Sequence, residues 1–211
     1  FNDSSMIAVG SWRHHDIIPW DDDLDLLMSV KLKTRLNAAI EFESPSSPYY
    51  IEFYRRWDAP KAFEYYKFYF SITPRFSEHP WRYPYVDLIF YHENETHLWP
   101  ENMKLTSTVS KQSIFPLKLR PLGTLWLPAP KLPHDYFVSV NWTTYDHKCL
   151  SSRWSHKYER IKNNNESISM INCKELRTFY PFVERSLTSQ DERLIINGTI
   201  KYIMRTNDDS A

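Results

Sequence analysis

Three aspartates stand out as residues that could do chemistry: Asp23 and Asp25 in Asp23-Leu24-Asp25-Leu26, and Asp87 in Tyr85-Val86-Asp87-Leu88-Ile89-Phe90. On a strand, residues two apart share a face, so Asp23 and Asp25 point one way while Leu24 and Leu26 enter the core. Two neighbouring carboxylates repel each other unless a cation sits between them. Hard oxygen ligands of this kind suit Mg²⁺ or Mn²⁺, which keep positions open for substrate phosphates. A third carboxylate usually completes such a site. Asp87 is the one charge in an apolar strand, with Val86, Leu88 and Phe90 on the opposite face, and burying a carboxylate without a partner is costly. The competing readings are a surface acidic run for Asp23 and Asp25, and an ion pair with a core arginine for Asp87. Asp21 and Asp22 read as turn, solvated or supporting residues rather than ligands.

Positioning such a triad requires strands, and the surrounding sequence supplies them. Tyr49 to Tyr54, Tyr66 to Thr73 and Tyr83 to Tyr91 are rich in aromatic and β-branched residues and are bounded by Pro or charge. Leu32, Leu36, Ala39 and Ile40 recur at helical spacing between Lys31, Lys33 and Arg35, and Ser44-Pro45 closes that segment, which predicts an amphipathic helix over residues 29 to 43. Pro116 to Pro130, with apolar residues around Gly123, predicts a hairpin. Further helix is expected over Ser152 to Ile161 and Cys173 to Ser186. The element order is mixed, so the fold class is α/β or α+β. Glycine occurs only at Gly10, Gly123 and Gly198, and each marks a place where a side chain does not fit.

A hydrophobic-Gly-Ser turn (Val9-Gly10-Ser11), then about ten residues, then Asp23-Leu24-Asp25-Leu26 with the distant Asp87, is similar to the signature of polymerase-β-type nucleotidyltransferases. The intervening Arg13-His14-His15-Asp16-Ile17-Ile18-Pro19-Trp20-Asp21-Asp22-Asp23 resembles the LicD family, which includes phosphocholine transferases and the fukutin group. Phe115-Pro116-Leu117 through Pro130 resembles that family's Phe-Pro-Leu hairpin. The resemblance covers roughly residues 7 to 160. It implies a nucleotidyltransferase fold, a mixed sheet flanked by helices and truncated at its N-terminus. It implies a catalytic domain over residues 1–160 and a helical extension over 161–211 packed on it. It further implies metal ligation and catalysis by Asp23, Asp25 and Asp87, with Asp87 also taking the acceptor proton. Gly10, Ser11 and Arg13 would then contact the donor phosphates, the glycine letting backbone N–H groups approach and the arginine offering a planar fork. His14 and His15 read as packed or hydrogen-bonded histidines, with phosphate orientation as the rival role. Trp20 reads as core. Lys111, Lys118 and Arg120 are candidates for the donor pyrophosphate, solvated charge being the default.

Composition narrows the partners. Lys plus Arg and Asp plus Glu are balanced at 26 each and no basic stripe is present, which argues against nucleic acid. No apolar run approaches a membrane span, and the chain opens at Phe1, so a fragment is expected, with any membrane anchor upstream. Asn2, Asn94, Asn141, Asn165 and Asn197 stand in glycosylation sequons. Chance would place about two in such a chain, so a lumenal location in the Golgi or endoplasmic reticulum is expected. Cys149 and Cys173 could then form a disulfide, the alternative being two buried thiols.

The expected function is cation-dependent transfer of a phospho-alcohol, of the phosphocholine or ribitol phosphate type, from a CDP-linked donor to a glycan acceptor. Two rivals remain: a Golgi glycosyltransferase using Mn²⁺ and a UDP-sugar, and an inactive glycan-binding scaffold.

Overall fold

A computed structural model describes residues 5–6, 9–21, 23–42, 51–58, 63–75, 79–101, 107–139, 148–150, 154–155, 160–161, 163, 171–186 and 191–205. In chain order its first elements are β1 (Ser5–Met6), α1 (Val9–His14), β2 (Asp23–Ser29), a 3-10 turn (Val30–Leu32), α2 (Lys33–Phe42), β3 (Ile51–Asp58) and β4 (Phe63–Phe70). Next come β5 (Tyr85–Glu93), β6 (His97–Pro100), β7 (Val109–Ser110), α3 (Lys111–Ile114), β8 (Lys118–Leu122), β9 (Leu125–Ala129) and α4 (Pro133–Ser139). The remainder is β10 (Lys148–Leu150), β11 (Trp154–Ser155), β12 (Arg160–Ile161), β13 (Ile171–Asn172), α5 (Cys173–Leu176), β14 (Phe182–Arg185), β15 (Asp191–Ile196) and β16 (Thr199–Arg205). The fold is mixed α/β. The chain divides into two compact units, one of residues 1–8, 22–119 and 126–141, the other of 9–21, 120–125 and 142–211.

The first unit is a mixed sheet in the order β1-β2-β5-β4-β3, with β6 and β7 continuing from β5. β2 and β5 run parallel while β4 is antiparallel to β5 and β3 to β4. Alternation along these strands sorts their side chains. One face gathers Tyr66, Leu88 and Phe90, all buried, with Leu26, Met28 and Phe68 against them. Leu36 and Ile40, four apart on α2, cover that face, and the Tyr66 hydroxyl donates to Asn37 Oδ1 at 2.6 Å. Burial of each large apolar side chain here contributes roughly 1.5 to 3 kcal/mol, which ties β2 and β5 into a rigid base. Ala39, expected on the same helical stripe, is exposed. The opposite face carries Asp23, Asp25 and Asp87.

The second unit contains α1 and the antiparallel sheet β14-β15-β16. Asn197 and Gly198 both have positive φ, 46° and 71°, at the β15–β16 turn, the conformation that an Asn-Gly hairpin turn of the mirror-image type demands. Cys149 and Cys173 form a disulfide with Cα atoms 4.9 Å apart. Both pack with Phe182, Trp20, Leu176 and Tyr180, so Trp20 is a core residue as expected.

The hairpin expected over Pro116 to Pro130 is β8 and β9, and the helix expected over 29 to 43 is the 3-10 turn plus α2. The C-terminal region differs. Cys173 to Ser186 is helical only through Leu176, because Pro181 lacks an amide donor and pushes its neighbours to extended backbone; Phe182–Arg185 then pairs with β15. The extension expected to be helical over 161–211 is therefore mostly strand among its described residues. Within Ser152 to Ile161, also expected to be helix, the described residues form β11 and β12.

Candidate metal centre

Register places the triad. Parallel pairing of β2 with β5 sets Asp23 opposite Tyr85 and Asp25 opposite Asp87, and antiparallel pairing of β4 with β5 sets Lys67 opposite Asp87. Laterally paired residues share a face, so Asp25, Asp87 and Lys67 form one row across three strands, with Asp23 in the next row. One carboxylate oxygen from each of Asp23, Asp25 and Asp87 lies within 4.8 Å of the others. A divalent cation bonds oxygen at about 2.0 to 2.6 Å, so such a span can be bridged by one ion, and the donor set is entirely hard oxygen. The residues present fit the cation that the sequence pattern implies. Asp25 is exposed and the other two are half-buried, which leaves an open side for substrate.

Two neighbours of the triad were not anticipated. Lys67, 2% exposed, reaches both oxygens of Asp87 with its ammonium, at 2.8 and 2.9 Å. An ion pair, the competing reading for Asp87, is thus present, and Lys67 of β4 is a partner in it. Tyr136 of α4 is buried, and that burial, followed by the charge of Asp25, pushes its hydroxyl pKa up. It is a neutral phenol beside an acidic site.

A sequence profile described as the LicD/FKTN/FKRP nucleotidyltransferase domain matches residues 8–132. The chain belongs to the LicD/FKTN/FKRP family. The match contains all three aspartates and Lys67 but ends before Tyr136 and the disulfide. Transferase chemistry is the class this family carries, and phosphotransfer in glycan or choline-phosphate modification is the kind it suggests. No curated protein matches the chain.

Other residues of the LicD motif belong to the second unit, and their surroundings there are structural. A Cβ added at Gly10 would meet the Asp16 carbonyl oxygen at 2.4 Å, and Gly123 has φ +60° with Asp16 Oδ1 3.2 Å from its would-be Cβ. The Gly123 amide also donates to the His15 carbonyl at 2.8 Å, and His15 itself takes φ 53°, a backbone region unusual for a residue with a side chain. Two of the chain's glycines therefore make room for one turn, a reason for Gly10 independent of any phosphate. The Ser11 hydroxyl is buried without a hydrogen-bond partner, and Arg13 Nη1 lies 3.8 Å from Cys149 Sγ.

The two histidines are packed ones. His14 Nδ1–H donates to the Pro181 carbonyl at 2.6 Å while its ring meets Trp20 and Phe182 edge-on. Burial, with a smaller contribution from the Arg13 charge and against that carbonyl bond, lowers its pKa to about 4, so it is neutral at pH 7. His15 Nε2 lies 2.7 Å from Glu192 Oε2 and its Nδ1 2.7 Å from the Tyr202 hydroxyl. Glu192 also accepts from Arg120 Nη2 at 2.6 Å and Arg185 Nε at 3.0 Å. Burial alone would raise its pKa, but the His15 hydrogen bond and the two guanidinium charges outweigh it and hold it down at about 2. Arg185 lies over the Trp12 ring, 3.2 Å from its centroid.

The structure gives Arg120 a buried carboxylate partner, and Lys111 pairs with Glu93 at 2.5 Å. Lys111 and Lys31 together lower the Glu93 pKa through their hydrogen bonds. Among the sequon asparagines, Asn94 and Asn197 lie in exposed turns, and Asn94 Oδ1 accepts from the Thr96 amide of its own sequon at 3.0 Å. Asn2, Asn141 and Asn165 lie outside the described residues.

Proposed function

We propose that the first unit is a nucleotidyltransferase-type catalytic body that transfers a phospho-alcohol, of the phosphocholine or ribitol phosphate type, from a CDP-linked donor to a glycan hydroxyl. The observation that carries this reading is the convergence of Asp23, Asp25 and Asp87 within 4.8 Å, inside the segment that matches the family. A divalent cation there, Mg²⁺ or Mn²⁺, would neutralise charge on the donor diphosphate and on the departing CMP. The chain's own contribution is to fix three oxygens on a rigid sheet. Asp87 is a ligand in this scheme rather than the base anticipated from sequence, because both its oxygens already accept from Lys67.

Donor binding tests the reading. A CDP-alcohol at about a hundred times its Kd, with Mg²⁺, should add about 2.7 kcal/mol of stability. For a chain of this length that raises Tm by roughly 5 to 10 °C, and the shift should disappear without the cation. A large response to UDP-sugars with Mn²⁺ and none to CDP-alcohols would transfer the assignment to a glycosyltransferase. Contacts from Gly10, Ser11 and Arg13 to the donor are a separate proposal, for which Arg13→Lys should shrink the CDP-alcohol shift and leave cation binding unchanged; an undiminished shift removes Arg13 from the donor site.

We also place the protein in the secretory lumen, on its five sequons and its disulfide. Expressed through that pathway, it should carry glycans at Asn94 and Asn197, read as mass lost on N-glycosidase treatment. Unmodified peptides at both positions would count against this location.

A further inference from the structure

On the reading of the triad as a metal centre, we propose that Lys67 is a built-in cation of that site, standing where a second metal would sit, so that the chain binds one divalent ion and not two.

The argument starts from charge. Two-metal phosphotransfer sites hold their ions about 3.5 to 4 Å apart by sharing carboxylates between them. Asp87 would be the shared ligand here, since it stands on the middle strand of its row, between Asp25 of β2 and Lys67 of β4. Its β4 side is taken. The Lys67 ammonium spans both Asp87 oxygens at 2.8 and 2.9 Å, so a cation placed there would face a fixed positive charge at hydrogen-bonding distance from their common ligand.

Lys67 is not placed to swing aside. It is 2% exposed, and its ammonium lies 3.7 Å from the Tyr85 ring centroid, 5.0 Å from that of Trp81 and 5.7 Å from that of Tyr65. Aromatic faces attract a cation, more so when water is excluded, and Tyr85 and Trp81 are themselves core residues packed with Tyr69. Surface lysines exchange partners freely; one enclosed by rings and bonded to a carboxylate from the neighbouring strand is a fixed feature of the sheet. Lys67 thereby also orients Asp87.

Counting bound Mn²⁺ by the loss of its free electron paramagnetic resonance signal tests this on the whole chain, without turnover. The wild type should take one ion. Lys67→Met keeps the length of the stem and removes the charge, and it should either take a second ion or hold the first at least tenfold more tightly; Lys67→Arg keeps the charge and should still take one. Two ions in the wild type would overturn the role of Lys67 and leave the metal centre standing, whereas no ion would overturn both. One ion in the wild type together with Lys67→Met binding one ion no more tightly would also overturn it. Should Lys67→Met fail to fold, the wild-type count and Lys67→Arg decide: one ion in each supports the proposal, and a second ion in either ends it.

Discussion

Asp25→Asn should lower turnover at least about a hundredfold, equivalent to roughly 2.7 kcal/mol of transition-state stabilisation, while the chain melts where the wild type does. Asn preserves the volume and removes only the charge, and Asp25 is exposed, on the face of the sheet opposite the Tyr66, Leu88 and Phe90 cluster. Asp23→Asn should behave in the same way. Asp87→Asn should not, although all three residues serve one cation. Its carboxylate is what the nearly buried Lys67 ammonium grips, and removing one partner of such a pair costs about 3 kcal/mol or more. The expected pattern is therefore loss of activity alone at Asp23 and Asp25, and loss of activity with a lower Tm at Asp87. Initial rates with a CDP-alcohol donor and melting curves on the same preparations separate the two effects. Wild-type turnover in Asp23→Asn or Asp25→Asn would remove the metal role. An unchanged Tm in Asp87→Asn would show that the Lys67 pair adds nothing to stability.

That asymmetry was not legible in the sequence, although the triad was. Asp23 and Asp25 announce themselves through strand alternation, and Asp87 through being the one charge in an apolar strand; both are local signals with a period of two. Lys67 lies within Tyr65-Tyr66-Lys67-Phe68, where a lysine reads as the solvated residue of an edge strand. Only the register of β4 against β5 puts it opposite Asp87. Gly10 has a structural reason that the sequence does not show. A glycine before a serine invites a phosphate-binding reading, yet the turn through Asp16, six residues on, fills the space that its missing Cβ leaves. The C-terminal strands were missed because their decisive cues are a turn pair, Asn197-Gly198, and the break at Pro181, rather than any strong alternation in β16, nearly all of whose residues are exposed.

Glu192 is the strongest case of a residue that the sequence conceals. Its partner His15 is 177 positions away, and nothing local in Asp191-Glu192-Arg193-Leu194 marks it as buried. Yet it is 4% exposed and takes hydrogen bonds from His15, Arg120 and Arg185. Glu192→Gln retains the shape and loses the charge, leaving the mostly buried Arg120 guanidinium facing a neutral amide. Removing one member of such a network costs about 3 to 5 kcal/mol, a large share of the 5 to 15 kcal/mol that a domain usually has. The exposed Arg177–Glu184 pair, each side chain nearly half accessible, is the control: Glu184→Gln should cost less than about 1 kcal/mol. Acid should reproduce the Glu192 effect in the wild type. Because the folded-state pKa is held at about 2, below the ordinary value of 4.5, this contribution is complete above about pH 4.5 and is lost as the pH falls through about 2. In Glu192→Gln that part of the acid limb should be missing. Urea unfolding at pH 7, 4.5 and 2.5 reads both effects. A Glu192→Gln chain within 1 kcal/mol of wild type at pH 7, or one with an unaltered acid limb, would mean that Arg120 and Arg185 find water or other acceptors and that Glu192 does not hold the second unit together.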